Sequence, residues 1–153
     1  NRFQSYAATT MPFFSGAPEG LDELQASGVR LAVATGKSRR GLDRMLKEWG
    51  MTDFFHATRC ADETASKPDP RMLREILADL ETPLERAVFV GDTAFDMEMG
   101  YRMGMPRVAV TYGVHPADRL APWRPQGWAH SFADVMAHIL PKEQDLAVTG
   151  SNG

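Results

Sequence analysis

Cysteine is almost absent from this 153-residue chain. Cys60 is the single example, so no internal disulfide can form. With nine methionines alongside it, the composition points to a reducing cytoplasm. Long apolar runs are lacking too: the longest, around Leu31–Ala34 and Ala87–Val90, fall far short of the roughly 20 residues that span a bilayer. No basic stretch stands out, and 17 basic against 20 acidic side chains leave a formal charge of −3. Neither nucleic acid nor an anionic membrane is therefore expected as a partner. The opening Asn1-Arg2-Phe3-Gln4 is neither a signal peptide nor an initiator methionine, so a segment upstream is expected.

What is present has the pattern of one α/β domain. Val29–Ala34 forms an apolar run after Gly28, which suits the end of a helix over 19–27. Leu42, Met45, Leu46 and Trp49 recur at helical spacing within Ser38–Trp49, and Gly50 closes that segment. A weak strand is expected near Phe54–Thr58. Asp69-Pro70 then reads as an N-cap with proline in the first helical position, and Met72, Leu73, Ile76, Leu77 and Leu80 line one face. Ala87–Val90 predicts a strand, 95–103 a helix, 107–111 a strand, and 131–140 a helix opening at Ser131. Between the last two lies a loop rich in Pro, Gly and Trp, expected to pack Trp123 and Trp128 on the core; a partner surface is the alternative. Beyond Pro141 the pattern dissolves, and 141–153 is expected to be a flexible tail. Near-continuous apolar strands alternating with helices predict a parallel sheet covered on both faces, a three-layer Rossmann-like core.

In open parallel sheets, ligands bind beyond the carboxyl ends of the strands. Three polar groups fall at such places: Thr35-Gly36-Lys37, Lys67, and Gly91-Asp92-Thr93. Thr35-Gly36-Lys37-Ser38 imitates the end of a nucleotide-binding phosphate loop. That motif needs a glycine five positions before Gly36, where this chain has Leu31 inside a strand. Asp92 and Asp96, four apart across a strand-to-helix junction, place two carboxylates on one helix face. Two adjacent anions call for a cation, and oxygen ligands suit magnesium better than zinc. The alternative is that Asp92 caps the helix and Asp96 meets water. Lys67 is held extended by Pro68 and can counter a phosphate, or simply be a solvated turn. Thr35 can grip an oxyanion with its hydroxyl and the next amide, or be structural. Cys60 lacks an evident base and reads as a small buried hydrophobe rather than a nucleophile. His56, His115, His130 and His138 have no ligand spacing, and surface or loop roles are expected for all four.

Taken in order, these groups resemble the haloacid dehalogenase superfamily from about Phe14 to Leu140. Ala32–Lys37 is similar to the family's second motif, Ser66–Pro70 to its third, and Val88–Met97 to its fourth. Phe14–Leu21 resembles the segment that re-enters the core after an inserted cap, which makes 1–13 a linker remnant and 14–140 a partial core. The texture is most similar to the phosphoglycolate-phosphatase-like branch. The resemblance implies a magnesium-dependent phosphatase of small phosphorylated metabolites. Thr35 and the Gly36 amide would bind the transferring phosphoryl group, and Lys67 would hold it in register. Asp92 would ligate magnesium directly, while Asp96 would complete the metal site by orienting a bound water or Lys67.

The family's first motif, Asp-x-Asp-x-Thr, is missing: no Asp-x-Asp occurs anywhere in the chain. That motif supplies the attacking aspartate, so the chain alone is expected to be inactive and truncated relative to an intact enzyme. A degenerate non-catalytic module binding a phospholigand or a protein is the alternative. A response-regulator receiver is disfavoured, because receivers place their acidic cluster early. The strand of the missing motif should also lie centrally, between Val29–Ala34 and Ala87–Val90. Something is expected to fill that place: a retained upstream segment, a strand swapped from a second copy, or direct pairing of the two flanking strands. Phe3–Thr10 is the least suited, being too polar.

Overall fold

The computed structural model describes residues 17–139 and 146–151. The elements run α1 (Ala17–Ala26), β1 (Arg30–Thr35), α2 (Arg39–Glu48), β2 (Ala57–Arg59), α3 (Arg71–Asp79) and β3 (Ala87–Gly91). They continue with α4 (Ala94–Met103), β4 (Arg107–Val110), α5 (Ala117–Leu120), β5 (Gly127–Ala129), α6 (Phe132–Ile139) and β6 (Leu146–Ser151). All strand pairs are parallel, in the order β2-β1-β6-β3-β4-β5.

Side-chain alternation along the strands builds the layers. Leu31, Val33, Val88, Val90 and Ala147 point to one face, where α1, α2 and α6 bring Leu24, Leu46 and Val135. Ala32, Ala34, Phe89, Leu146 and Val148 point to the other, against Met72 and Ile76 of α3 and Met99 of α4. Both faces are dry, which is why these strands read as unbroken apolar runs. The helices end where the sequence says they should. Ser38 Oγ accepts from the Gly41 amide at 3.0 Å to open α2. Gly104, at φ +68°, closes α4 in the left-handed region that glycine tolerates. No helix among the described residues is long and apolar enough to cross a membrane.

Two expectations need correction. Residues 146–151, expected as part of a flexible tail, form the central strand β6. It pairs six residues with β1, from Arg30↔Leu146 to Thr35↔Ser151, and four with β3, from Ala87↔Leu146 to Val90↔Thr149. This is the place reserved for the missing strand, and it is filled from within the chain. None of the three fillers anticipated from the sequence does the job. The reason is burial: Leu146, Ala147 and Val148 are each at most 1% exposed, apolar on both faces as the slot requires. Second, the Pro/Gly/Trp segment is more than a loop, since it contributes the short α5 and the edge strand β5. Trp123 and Trp128 pack there against Met97, Ala109 and Leu120, as expected. The linker over 1–13, with Phe3–Thr10, lies outside the described residues.

Candidate active site

The carboxyl ends of β1, β6 and β3 converge on one edge of the sheet, and the polar residues singled out above gather there. Thr35 ends β1 and is fully buried; its Oγ1 accepts from the Lys37 amide at 3.0 Å. Gly36 follows it and is exposed. The ends of β1 and β3 lie two strand spacings apart, about 10 Å.

Asp92 and Asp96 both have no solvent exposure. Thr93, not Asp92, caps α4: its Oγ1 accepts from the Asp96 amide at 3.1 Å. The alternative of a capping Asp92 and a solvated Asp96 therefore does not hold. Close packing draws the two carboxylates inward. A Cβ on Gly91 would overlap the Asp96 side chain, coming within 2.8 Å of its Cγ. One on Gly113 would lie 2.7 Å from the Asp92 Cγ. Both glycines are needed for these approaches.

Lys67 sits opposite. Its Nζ donates to Asp96 Oδ1 at 2.5 Å, with 9% of the lysine side chain exposed. The loop that carries it is held to α4 by Arg102 Nη1, which donates to the Pro68 carbonyl at 3.2 Å. The structure thus brings Lys67, Asp92 and Asp96 together and places Thr35 and Gly36 on the same edge.

The electrostatics call for a cation. Burial, followed by the charge of Asp96, pushes the Asp92 carboxyl up to about 6 from 3.8. Asp92 Oδ2 accepts from the Val114 amide at 2.9 Å. Asp92 Oδ1 and Asp96 Oδ2, though buried, have no hydrogen-bond partner. A buried acceptor without a donor costs roughly 1–3 kcal/mol, more when charged, so these oxygens suit a metal ion. No third His, Cys, Asp or Glu joins them among the described residues. Magnesium fits such a sparse set, because it is commonly held by one or two carboxylates with water and a substrate phosphate.

Sequence reasoning missed the segment that grips Asp92. Val114 donates to the carboxylate, the His115 amide donates to the Asp92 carbonyl at 3.1 Å, and His115 Nδ1 accepts from the Ala94 amide at 2.9 Å. On sequence alone His115 reads as a surface or loop histidine. The one signal was Gly113, adjacent to a strand end. Burial, chiefly, and Arg119 nearby lower the His115 pKa. Cys60 is buried and its thiol is pushed up to about 12 by desolvation, which leaves it unsuited to attack.

Comparison with known proteins settles the family. The family model for haloacid dehalogenase-like hydrolases matches residues 1–110. The chain belongs to this family. It is 35% identical over 132 residues to the probable phosphatase IndB of Dickeya dadantii, covering 84% of this chain and 57% of that protein. It is 32% identical to the N-acetylmuramic acid 6-phosphate phosphatase of Pseudomonas aeruginosa, covering 80% and 55%. A phosphoglycolate phosphatase of Pectobacterium atrosepticum is 29% identical, covering 90% and 61%. Among solved structures, one described as "a predicted phosphatase from Clostridium acetobutylicum" superposes with a TM-score of 0.76 at 22% identity, covering 84% and 60% of the two chains; it shows the fold. The matches span little more than half the length of these relatives.

Proposed function

We propose that this chain is the core portion of a magnesium-dependent phosphate-monoester hydrolase acting on a small phosphorylated metabolite in the cytoplasm. The observation that carries the proposal is the pair of buried, partnerless oxygens on Asp92 and Asp96, with the Lys67 ammonium 2.5 Å from the second carboxylate. Phosphatase relatives support the reaction class.

Asp92 and Asp96 would hold magnesium, which supplies positive charge to the phosphoryl oxygens when bound. Lys67 keeps Asp96 in place and brings its positive charge toward the phosphoryl group. Thr35 already accepts from the Lys37 amide, so its hydroxyl proton is free to donate to a phosphoryl oxygen, with the Gly36 amide beside it. These groups position and neutralise, which is most of what phosphoryl transfer asks of a protein. None of them attacks. The tip of the central strand, Thr149-Gly150-Ser151, carries no carboxylate. The family resemblance implies that the nucleophile of the intact enzyme is an aspartate on a strand in that place, reacting through an aspartyl phosphate, which leaves the chain alone inactive. That same carboxylate-free tip favours one other possibility, a non-catalytic module of this fold that binds a phospholigand.

The test is a magnesium titration of the chain followed by thermal unfolding, with an aryl phosphate assay on the same material. Magnesium is expected to raise the unfolding temperature, with no turnover. Absence of any magnesium effect would remove the metal site, and turnover by the pure chain would overturn its inactivity. An Asp-x-Asp-x-Thr in the upstream coding sequence separates the enzyme from the module.

A further inference from the structure

We infer that His115 is a positioning residue, one that sets the direction in which Asp92 presents its free oxygen. The inference rests on the metal-site reading above and extends it to a segment outside the motifs.

The turn from β3 into α4 has to change from strand to helix geometry within Gly91–Ala94. Such a turn exposes first-turn amides that find no partner within the helix. Thr93 takes the amide of Asp96, and the His115 imidazole takes the amide of Ala94. The backbone around His115 holds the other side of the same turn. Its amide donates to the Asp92 carbonyl, and the preceding Val114 amide donates to Asp92 Oδ2. Three hydrogen bonds from two adjacent residues thus fix the main chain, the side-chain rotation and the helix entry around one carboxylate. Oδ2 is committed to the protein, and Oδ1 is left buried and available.

The imidazole itself is seated. The Phe95 ring packs on it, with centroids 5.8 Å apart and planes at 58°. An amide N–H aimed at Nδ1 requires a lone pair there, so the neutral ring carries its proton on Nε2. The Arg119 guanidinium, 3.3 Å from Nε2, is then a neighbouring cation and not a donor to that nitrogen. Gly113 lets the segment press this close, since any side chain there would run into Asp92. A loop that merely closed the fold would have no need to converge on a single carboxylate.

The test replaces the acceptor by geometry. His115→Asn puts Oδ1 where Nδ1 stood, His115→Gln moves the acceptor outward, and His115→Leu removes it. Manganese is the probe, because it shares magnesium's preference for oxygen ligands and is visible by electron paramagnetic resonance. His115→Leu is expected to weaken manganese binding at least about tenfold, as loss of an orienting partner commonly does, with the metal-free unfolding temperature lowered only by the loss of the one bond to the Ala94 amide. His115→Asn should recover most of the affinity and His115→Gln should not. Full affinity in the Leu variant, or an Asn variant as weak as Leu, would overturn the inference. Should Leu fail to fold, the Asn–Gln contrast still decides. A wild-type chain that binds no manganese sinks the metal-site reading instead. Amide exchange at Ala94 then judges the clamp alone: protection in wild type and Asn with loss in Gln upholds it, and equal exchange in all three refutes it.

Discussion

Replacing Asp92 with asparagine should make the metal-free chain more stable while removing its response to magnesium. Burial and the neighbouring Asp96 charge raise the Asp92 carboxyl from 3.8 to about 6 in the folded state. A raised carboxyl favours the neutral form, so its contribution to stability is full below 3.8 and is lost as pH climbs through about 6. The difference amounts to roughly 3 kcal/mol at neutral pH, taking about 1.4 kcal/mol per tenfold. Asparagine cannot ionise. Its carbonyl oxygen can keep the bond from Val114, and its neutral amide nitrogen replaces the buried, partnerless and charged Oδ1. The gain should be about 1–3 kcal/mol near pH 7.5, or roughly 3–9 °C in unfolding temperature for a chain of this size. Thermal unfolding in chelator between about pH 4 and pH 8 should show wild type losing stability across this window and Asp92→Asn losing less. Magnesium should then raise wild type alone. An asparagine variant less stable than wild type in chelator, or one that still gains from magnesium, would refute the account of two mutually repelling carboxylates awaiting a cation.

Lys67→Met should leave Asp96 as a buried charge without its ammonium partner, a loss of about 3–5 kcal/mol, read as a lower urea midpoint; an unchanged midpoint would show that Asp96 does not depend on Lys67. Gly91→Ala forces a Cβ into the Asp96 side chain and should cost about 1–3 kcal/mol by overpacking, together with manganese affinity. Retained affinity would mean the turn has slack. Val148→Asp places a charge in the centre of the sheet and should abolish cooperative unfolding, checked by circular dichroism; a cooperative transition would show that β6 is not central in solution.

Much of the fold was legible because its signals are local. Helical spacing of Leu42, Met45 and Leu46 marked α2, and all three are buried as that spacing requires. The helix start at Asp69-Pro70 was correct to within a residue: Pro70 holds the capping position, and Asp69 Oδ1 accepts from the Arg71 amide at 2.9 Å. The contact of Lys67 with Asp96 across 29 residues is one of the two roles that the motif order implies for Asp96, and no local pattern marks it. What stayed hidden depends on distant partners. Gly127–Ala129 is too short to show alternation, and it becomes a strand only because Val108–Val110 offers an edge. His115 looked ordinary because its importance comes from a turn 21 residues earlier in the chain.

The central strand carries the same lesson into function. Leu146-Ala147-Val148-Thr149 is a modest strand by composition, and a polar Gly150-Ser151 follows it. It is ordered by its place: β1 and β3 each present a row of backbone donors and acceptors that must be met, and any segment apolar on both faces can meet them. Burying Leu146 and Val148 adds about 1.5–3 kcal/mol each, a large share of the roughly 5–15 kcal/mol that holds a domain together. The fold therefore requires an occupant for this slot, but sets few conditions on what its tip carries. Chemistry sets the stricter condition. Thr35 pairs with Ser151 on one side, and Asp92 follows β3 on the other, so the tip of the central strand faces the space between the groups proposed to bind phosphate and metal. A carboxylate there would complete a phosphatase, whereas Thr149-Gly150-Ser151 completes only the sheet. If the nucleophile of the intact enzyme stands on a strand in this slot, as proposed, that strand and β6 exclude one another, and the presence of catalysis reports which of the two is in place.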